Sequence, residues 1–351
     1  MLHDGDGLYS RGFSLLGMTV TLKANRCELL SDDEYFLGKG ARLHSLLSNF
    51  CKLKEIPPEA GSDLTFSLID SPASPFGFSQ SAQGKYLITG PIMDYESASK
   101  NKRACIFGNM GLFSKILVRE LECKGVYSIH STSFYDRKNN RLYIVMGGSG
   151  SGKSTVLLKA ISLGGIEVFG TELTHFSITG GRTKMHKGSL WQNCRMGNLV
   201  FDFPELLPRF GLQTPAGDPW HTYESVSLMD MQVGEDDFDS VPLVLVMPRI
   251  EGERRNASVR PVPATSVLGA LFQNLSDKVS PPTLLWGKYF VPSIDTPERQ
   301  TARMEAARNF LGEAPIVGCR SVLSSPQTCL NGIFPLENID GYLDSQEGQD
   351  E

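Results

Sequence analysis

No CxxC or CxH pair occurs in this chain, and its seven cysteines (Cys27, Cys51, Cys105, Cys123, Cys194, Cys319 and Cys329) are scattered and odd in number. That excludes a cysteine-based zinc site of the usual spacing and argues against a closed disulfide framework, so free thiols in a reducing cytoplasm are expected. Positive charge is not in excess. The formal net charge is -5, which leaves no electrostatic footprint for a general nucleic-acid or membrane-surface binder. Long apolar runs are missing too: stretches such as Val241 to Met247 fall far short of the roughly 20 residues that span a bilayer. The opening MLHDGDGLYSRGF has no basic segment ahead of an apolar core, so no secretory signal is expected there. Two signatures of nucleotide-using proteins are also absent, the NKxD guanine-reading motif and the LSGGQ-like signature of ABC-type ATPases.

What is present is the composition of a folded protein, 40% hydrophobic and 21% charged. The length of 351 residues exceeds that of a usual single domain. Residues 1–110 carry short β-leaning runs, GMTVTLKAN, DLTFSLIDS and GKYLITGPI, broken by Gly, Pro, Ser and Asn. One helical stretch is expected around Ala41 to Lys54. The segment reads as a mixed α+β N-terminal domain. From Gly111 the pattern changes. Leu112, Ile116, Leu117 and Leu121 recur at helical spacing, and Gly125 follows as a stop. Two strand-like runs come next, VYSIHSTSFY and RLYIVM, joined by a turn at Asp136 to Asn140. A glycine-rich loop, the helical STVLLKAISLGG and the strand-like IEVFG complete an α/β unit. Further on, VPLVLVMPR reads as a buried strand, and residues 264–275 and 296–311 read as helices. Residues 111–336 are thus expected to form a second, α/β domain. The acidic residues 337–351 are expected to be a solvated, disordered tail.

Residues 147–154, Gly-Gly-Ser-Gly-Ser-Gly-Lys-Ser, match the phosphate-loop pattern G-x-x-x-x-G-K-[ST] in full. Converging backbone N–H groups need close approach to phosphate oxygens, which side chains would block; hence Gly147, Gly148, Gly150 and Gly152. The helix that follows turns its N-terminus to the anion. On this reading Gly148, Ser149, Gly150, Ser151, Gly152, Lys153, Ser154 and Thr155 hold the phosphates of ATP. Lys153 brings charge to the β and γ phosphates, and Ser154 offers its hydroxyl to Mg²⁺. An acid to complete the magnesium site is sought at the end of a hydrophobic strand. Glu172 after IEVFGT, Asp202 after NLVF and Asp230 after SVSLM all qualify. Glu172 is favoured, because strands joined by one crossover often lie side by side with their C-terminal ends at one crevice. Lys184, His186 and Lys187 form a small basic cluster of the kind usually found on a solvated loop. Arg249, Arg254, Arg255 and Arg260 crowd a loop after a strand, where one could clamp the γ-phosphate.

The order of a helix, Ser128-Ile129-His130 on a strand, GGSGSGKST, a helix, and Thr171-Glu172 after the next strand resembles the HPr kinase/phosphorylase catalytic domain. It also resembles the wider set of P-loop serine kinases that share a fold with phosphoenolpyruvate carboxykinases. WQNCRMGNLVFDF, with Arg195 and Gly197, looks like a diverged copy of the family's phosphate-side arginine stretch. The resemblance covers roughly residues 111–280. It implies an α/β P-loop kinase core, ATP and Mg²⁺ as cofactors, and γ-phosphate transfer to a hydroxyl of a peptide, protein or small metabolite. It also implies Lys153, Glu172, His130 and Arg195 as catalytic residues, with Ser154 and Glu172 on the metal. Thr171 stands where the family has the first acid of a pair, and the family's Glu near Arg195 is missing. Both departures argue against HPr itself as acceptor, and Asp202 or Asp230 is left to supply the second carboxylate. A nucleotide-driven switch and a carboxykinase-like lyase remain as rivals, and a homo-oligomer remains open. No nucleic-acid or membrane partner is expected.

Overall fold

In the computed structural model the described residues are 2–3, 7–32, 36, 53–58, 61–81, 84–99, 105–108 and 111–333. Alternating burial shapes the first of two large sheets. Strand β5 (Leu64–Asp70) buries every second side chain, and β3 (Met18–Ala24) and β7 (Lys85–Gly90) flank it in parallel. Around them lie β1 (Leu2–His3), β2 (Tyr9–Leu15), β4 (Lys54–Ile56) and β6 (Gly77–Gln80), all antiparallel to their neighbours. The order is β1-β2-β3-β5-β7-β6, with β4 also on β2. The three β-leaning runs of the sequence are therefore strands. The helix expected over Ala41 to Lys54 falls mostly outside the described residues, and Lys54 opens β4 instead of closing a helix.

Helix α1 (Ile92–Ala98) follows, then α2 (Leu112–Cys123). Although α2 lies beyond the expected boundary at residue 110, its apolar face fills the first sheet. Leu112, Phe113, Ile116, Leu117 and Leu121 share one core with Phe13, Leu64, Phe66 and Ile88. The Phe66 and Phe113 rings stack 5.1 Å apart, and the Tyr86 hydroxyl donates to Glu120 at 2.5 Å.

The second sheet contains β8 (Val126–Asp136), β9 (Arg141–Met146), β10 (Ile166–Gly170), β11 (Leu173–Thr179) and β12 (Arg182–His186). A separate hairpin, β13 (Trp191–Arg195) with β14 (Tyr223–Ser227), stands beside it. The sheet is completed by β15 (Asp237–Asp239), β16 (Leu243–Ile250), β17 (Ser258–Pro261) and, beyond a small hairpin of β18 (Thr283–Leu285) and β19 (Tyr289–Val291), β20 (Ile316–Ser324). Its order is β15-β12-β11-β8-β9-β16-β20-β17, with β10 also on β8. Strands β9, β16 and β20 are parallel and the remaining pairs antiparallel. The run RLYIVM is apolar throughout because β9 is covered on both faces. Tyr143 and Val145 pack with helix α3 (Lys153–Leu163), while Leu142, Ile144 and Met146 pack with α4 (Ala264–Ser276) and α5 (Pro297–Glu313). The whole is a mixed α/β fold. One expectation needs correcting: β9 and β10 are not sheet neighbours. β8 runs antiparallel between them, so both still end on the same side of the sheet.

The two halves are joined by more than α2. Arg303 of α5 is fully buried and forks onto Glu122 of α2 (2.8 and 2.9 Å) and Asp295 (3.0 and 3.1 Å). Trp286 stacks on Tyr95 of α1 at 5.2 Å, and Tyr289 stacks on Phe76 at 4.6 Å. No helix among the described residues is long and apolar enough to cross a membrane.

Candidate functional site

The glycine-rich loop leaves the end of β9 and enters α3 at Lys153. Gly147, Gly150 and Gly152 all have positive φ (155°, 79° and 100°), a region that favours glycine. At Gly152 space is a second constraint, since a Cβ would stand 2.1 Å from Ile250. Ile250 in turn donates its N–H to the Ser151 carbonyl at 3.1 Å, so the end of β16 straps the loop. From the opposite side Asn274 of α4 accepts the Gly147 N–H at 3.1 Å. The loop is thus fixed at both ends by residues more than 90 positions away in sequence. Inside it, Lys153 folds back to donate to the Gly147 carbonyl at 2.6 Å and the Gly148 carbonyl at 3.3 Å. Burial pulls the Lys153 amine below the ordinary lysine value, with Lys278 adding to the effect and Glu172 opposing it.

Glu172 sits in the bend between β10 and β11. Its carboxylate lies 3.2 Å from Lys278 Nζ and 3.5 Å from His130 Nε2. Burial alone would raise this carboxyl, but Lys278 and His130 outweigh it and hold the group well below the usual carboxylate range. The other ring nitrogen of His130, Nδ1, is 2.5 Å from an Asp277 oxygen. His130 therefore bridges two carboxylates. The His130 ring beside it is the main reason that the Asp277 carboxyl is lowered as well. Lys115 of α2 approaches from below and donates to the Pro281 and Pro282 carbonyls (2.8 and 2.9 Å). Burial, with Lys278 nearby, pushes its amine down to about 8.

Ser154 opens the first turn of α3, and its Oγ accepts from Gln192 Nε2 at 3.0 Å. Thr155 is buried in the helix. Lys153, Ser154, Glu172 and His130, singled out in the sequence, thus surround the loop end of β9. Arg195 does not join them. Strand alternation puts it on the opposite face of β13 from Gln192. There its guanidinium donates to the Tyr223 hydroxyl at 2.9 Å and lies 5.3 Å from that ring's centroid, exposed to solvent. Asp202 is bonded to Asn198 and Gln327, and Asp230 lies exposed on a short turn. The second carboxylate at this site is Asp277, not either of those.

The basic cluster is not a solvated loop. Lys187 is buried with its amine on the Val233 carbonyl, and His186 sits between Ser177 (2.9 Å) and Asp237 (2.8 Å). Arg249 and Arg254 pair with Glu251. The residues that sequence reasoning missed, Asn274, Asp277, Lys278 and Gln192, come from the C-terminal end of α4 and from the hairpin. The only hint of the first three was charge and amide at a helix end. Gln192 gave none.

Comparison with protein-family models and with curated proteins returns no match. Among the described residues no group of three or more His, Cys, Asp or Glu side chains could hold a metal ion unaided.

Proposed function

We propose that this protein is an ATP-dependent kinase that transfers the γ-phosphate to a hydroxyl of a peptide, protein or small metabolite, with a P-loop core of the HPr kinase type. The observation that carries the reading is the joint position of Lys153 and Ser154 in the first turn of α3, with the His130–Glu172 pair at the same end of the sheet. This set suits phosphoryl transfer, which asks chiefly for positioning and charge compensation. The donor set fits a nucleotide with magnesium. It offers a hydroxyl at a helix N-terminus, loop N–H groups at glycines, two lysines, and a carboxylate held ionised.

When bound, ATP supplies the phosphoryl group and magnesium shields its charge. The chain's own residues do the rest. Lys153, now on the carbonyls of its own loop, would hold the phosphates, with Lys278 as a second cation near it. Ser154 and Glu172 would hold the metal. A carboxyl held as low as that of Glu172 is a weak proton acceptor at neutral pH. The acceptor's proton is therefore assigned to Nε2 of the neutral His130 ring, whose Nδ1 faces Asp277. Arg195, on the far face of the hairpin, has no part in the transferred group's charge.

The test is incubation with γ-labelled ATP, Mg²⁺ and fractionated peptide and metabolite pools. Label is expected in an acceptor, and Lys153→Ala is expected to abolish both transfer and tight ATP binding while the fold survives. Label appearing only as inorganic phosphate in every fraction would replace the kinase with an ATPase or switch. Wild-type turnover in Lys153→Ala would remove the nucleotide site itself.

A further inference from the structure

Gln192 is 1% exposed, and its side-chain oxygen Oε1 is buried with no hydrogen-bond partner among the described residues. Its amide orientation is fixed by chemistry. Nε2 donates to the Asn193 carbonyl at 3.1 Å, and a carbonyl can only accept. The same Nε2 reaches Ser154 Oγ at 3.0 Å. The orphan oxygen therefore belongs to an amide anchored on the hydroxyl that opens α3. Leaving such an oxygen buried and unpaired is costly, and folded proteins rarely retain that cost without a use.

Thr171 explains how Gln192 comes to be there. This threonine replaces an acid expected at the end of β10. It is buried, and it is not turned toward the loop. Its N–H donates to the Ser189 carbonyl at 2.8 Å, and its hydroxyl donates to the Trp191 carbonyl at 2.6 Å. The end of β10 is thereby stitched to the first residue of β13, one position ahead of Gln192.

We infer that Gln192 Oε1 supplies an oxygen to the coordination sphere of the nucleotide-bound magnesium ion, alongside Ser154, with Thr171 as the residue that positions its strand. An amide carbonyl is a hard oxygen donor of the type that magnesium takes, and this ion needs only one or two protein oxygens besides phosphates and water. The inference rests on the proposed nucleotide site.

The experiment measures binding without turnover. A non-hydrolysable ATP analogue is titrated by calorimetry with EDTA and over a range of Mg²⁺, and Mn²⁺ binding to the nucleotide complex is followed by electron paramagnetic resonance. Gln192→Ala is expected to leave metal-free nucleotide affinity unchanged and to weaken metal binding by about tenfold to a hundredfold. Gln192→Glu, similar in size and bearing an oxygen in the same place, is expected to bind the metal at least as tightly as the wild type. A purely structural amide that only donates to Ser154 predicts no rescue by Gln192→Glu, because a carboxylate cannot donate that bond. Unchanged metal affinity in Gln192→Ala, or equal weakening in both variants, would overturn the inference alone. Absence of any nucleotide binding by the wild type would overturn it together with the proposed function.

Discussion

Two clusters of buried charge lie at the ends of α4 and α5, and they are built on opposite principles. In the Arg303–Glu122–Asp295 cluster both carboxylates meet the guanidinium in forked pairs, and the arginine has no exposure to solvent. In the cluster around the glycine-rich loop, nothing is closed. His130 lies between two carboxylates, Lys153 makes do with the carbonyls of its own loop, and the Ser151 hydroxyl and Gln192 Oε1 are buried without hydrogen-bond partners among the described residues. A saturated network locks elements together. An unsaturated one, rich in cations and hydroxyls, is poised to take up an anion. The difference suits the first cluster to a joint and, under the proposed function, the second to a site.

Four measurements would break or sharpen that contrast. The largest effect is expected at His130. Replacement by Ala should lower phosphate transfer by roughly two to four orders of magnitude and spare ATP affinity, at a smaller cost in thermal stability than at Arg303 because Lys278 still faces Glu172; a loss of stability as large as at Arg303 would make the second cluster another joint. At Arg303 the expectation is inverted. Arg303→Met leaves two buried carboxylates uncompensated and should destabilise the fold by about 3–5 kcal/mol, read from denaturant unfolding, with ATP affinity unchanged at temperatures where the variant is folded.

A smaller effect concerns Lys115, whose amine is pushed down from 10.5 to about 8 by burial. For a base with a lowered folded value, the unfolded chain binds more protons across that interval. Stability should therefore rise with pH between about 8 and 10.5, by on the order of 1–3 kcal/mol from this group. Lys115→Met should remove that part of the slope, and an unchanged profile would show the amine to be unperturbed. The smallest effect is expected at Arg195. As an exposed residue stacked on Tyr223, its replacement by Ala should change transfer by less than about threefold, in line with the roughly 0.5 kcal/mol of surface substitutions. A thousandfold loss would restore it to the site.

The glycine-rich loop, its flanking strand and its helix were legible because all three are contiguous and their chemistry is local: glycines where φ is positive, lysine and serine where a helix begins. The long helices and the doubly covered strands β9 and β16 were legible from apolar spacing. The sheet order was not, since nothing local in VYSIHSTSFY says that β8 inserts between β9 and β10. β20 went unread because Gly318, Cys319, Arg320 and Ser321 dilute its apolar signal, although it is the parallel partner of β16. Within the site, His130 and Glu172 could be picked out beside the loop. Asp277 and Lys278 could not, because Lys278 is 106 positions from Glu172 and only the packing of α4 brings them together. Arg195 was misplaced because a motif read as text ignores which face of a strand a residue takes.

Helix α2 is adjacent in sequence to β8 and the loop, yet its apolar face completes the first sheet. The consequence is one of inheritance. A recombination breakpoint near residue 110 would pass on a helix whose apolar side has lost its own lining, and would separate Phe66 and Tyr86 from Phe113 and Glu120. The two sheets must therefore be exchanged together or not at all, and a change at Phe66 or Tyr86 has to be answered on α2 at Phe113 or Glu120.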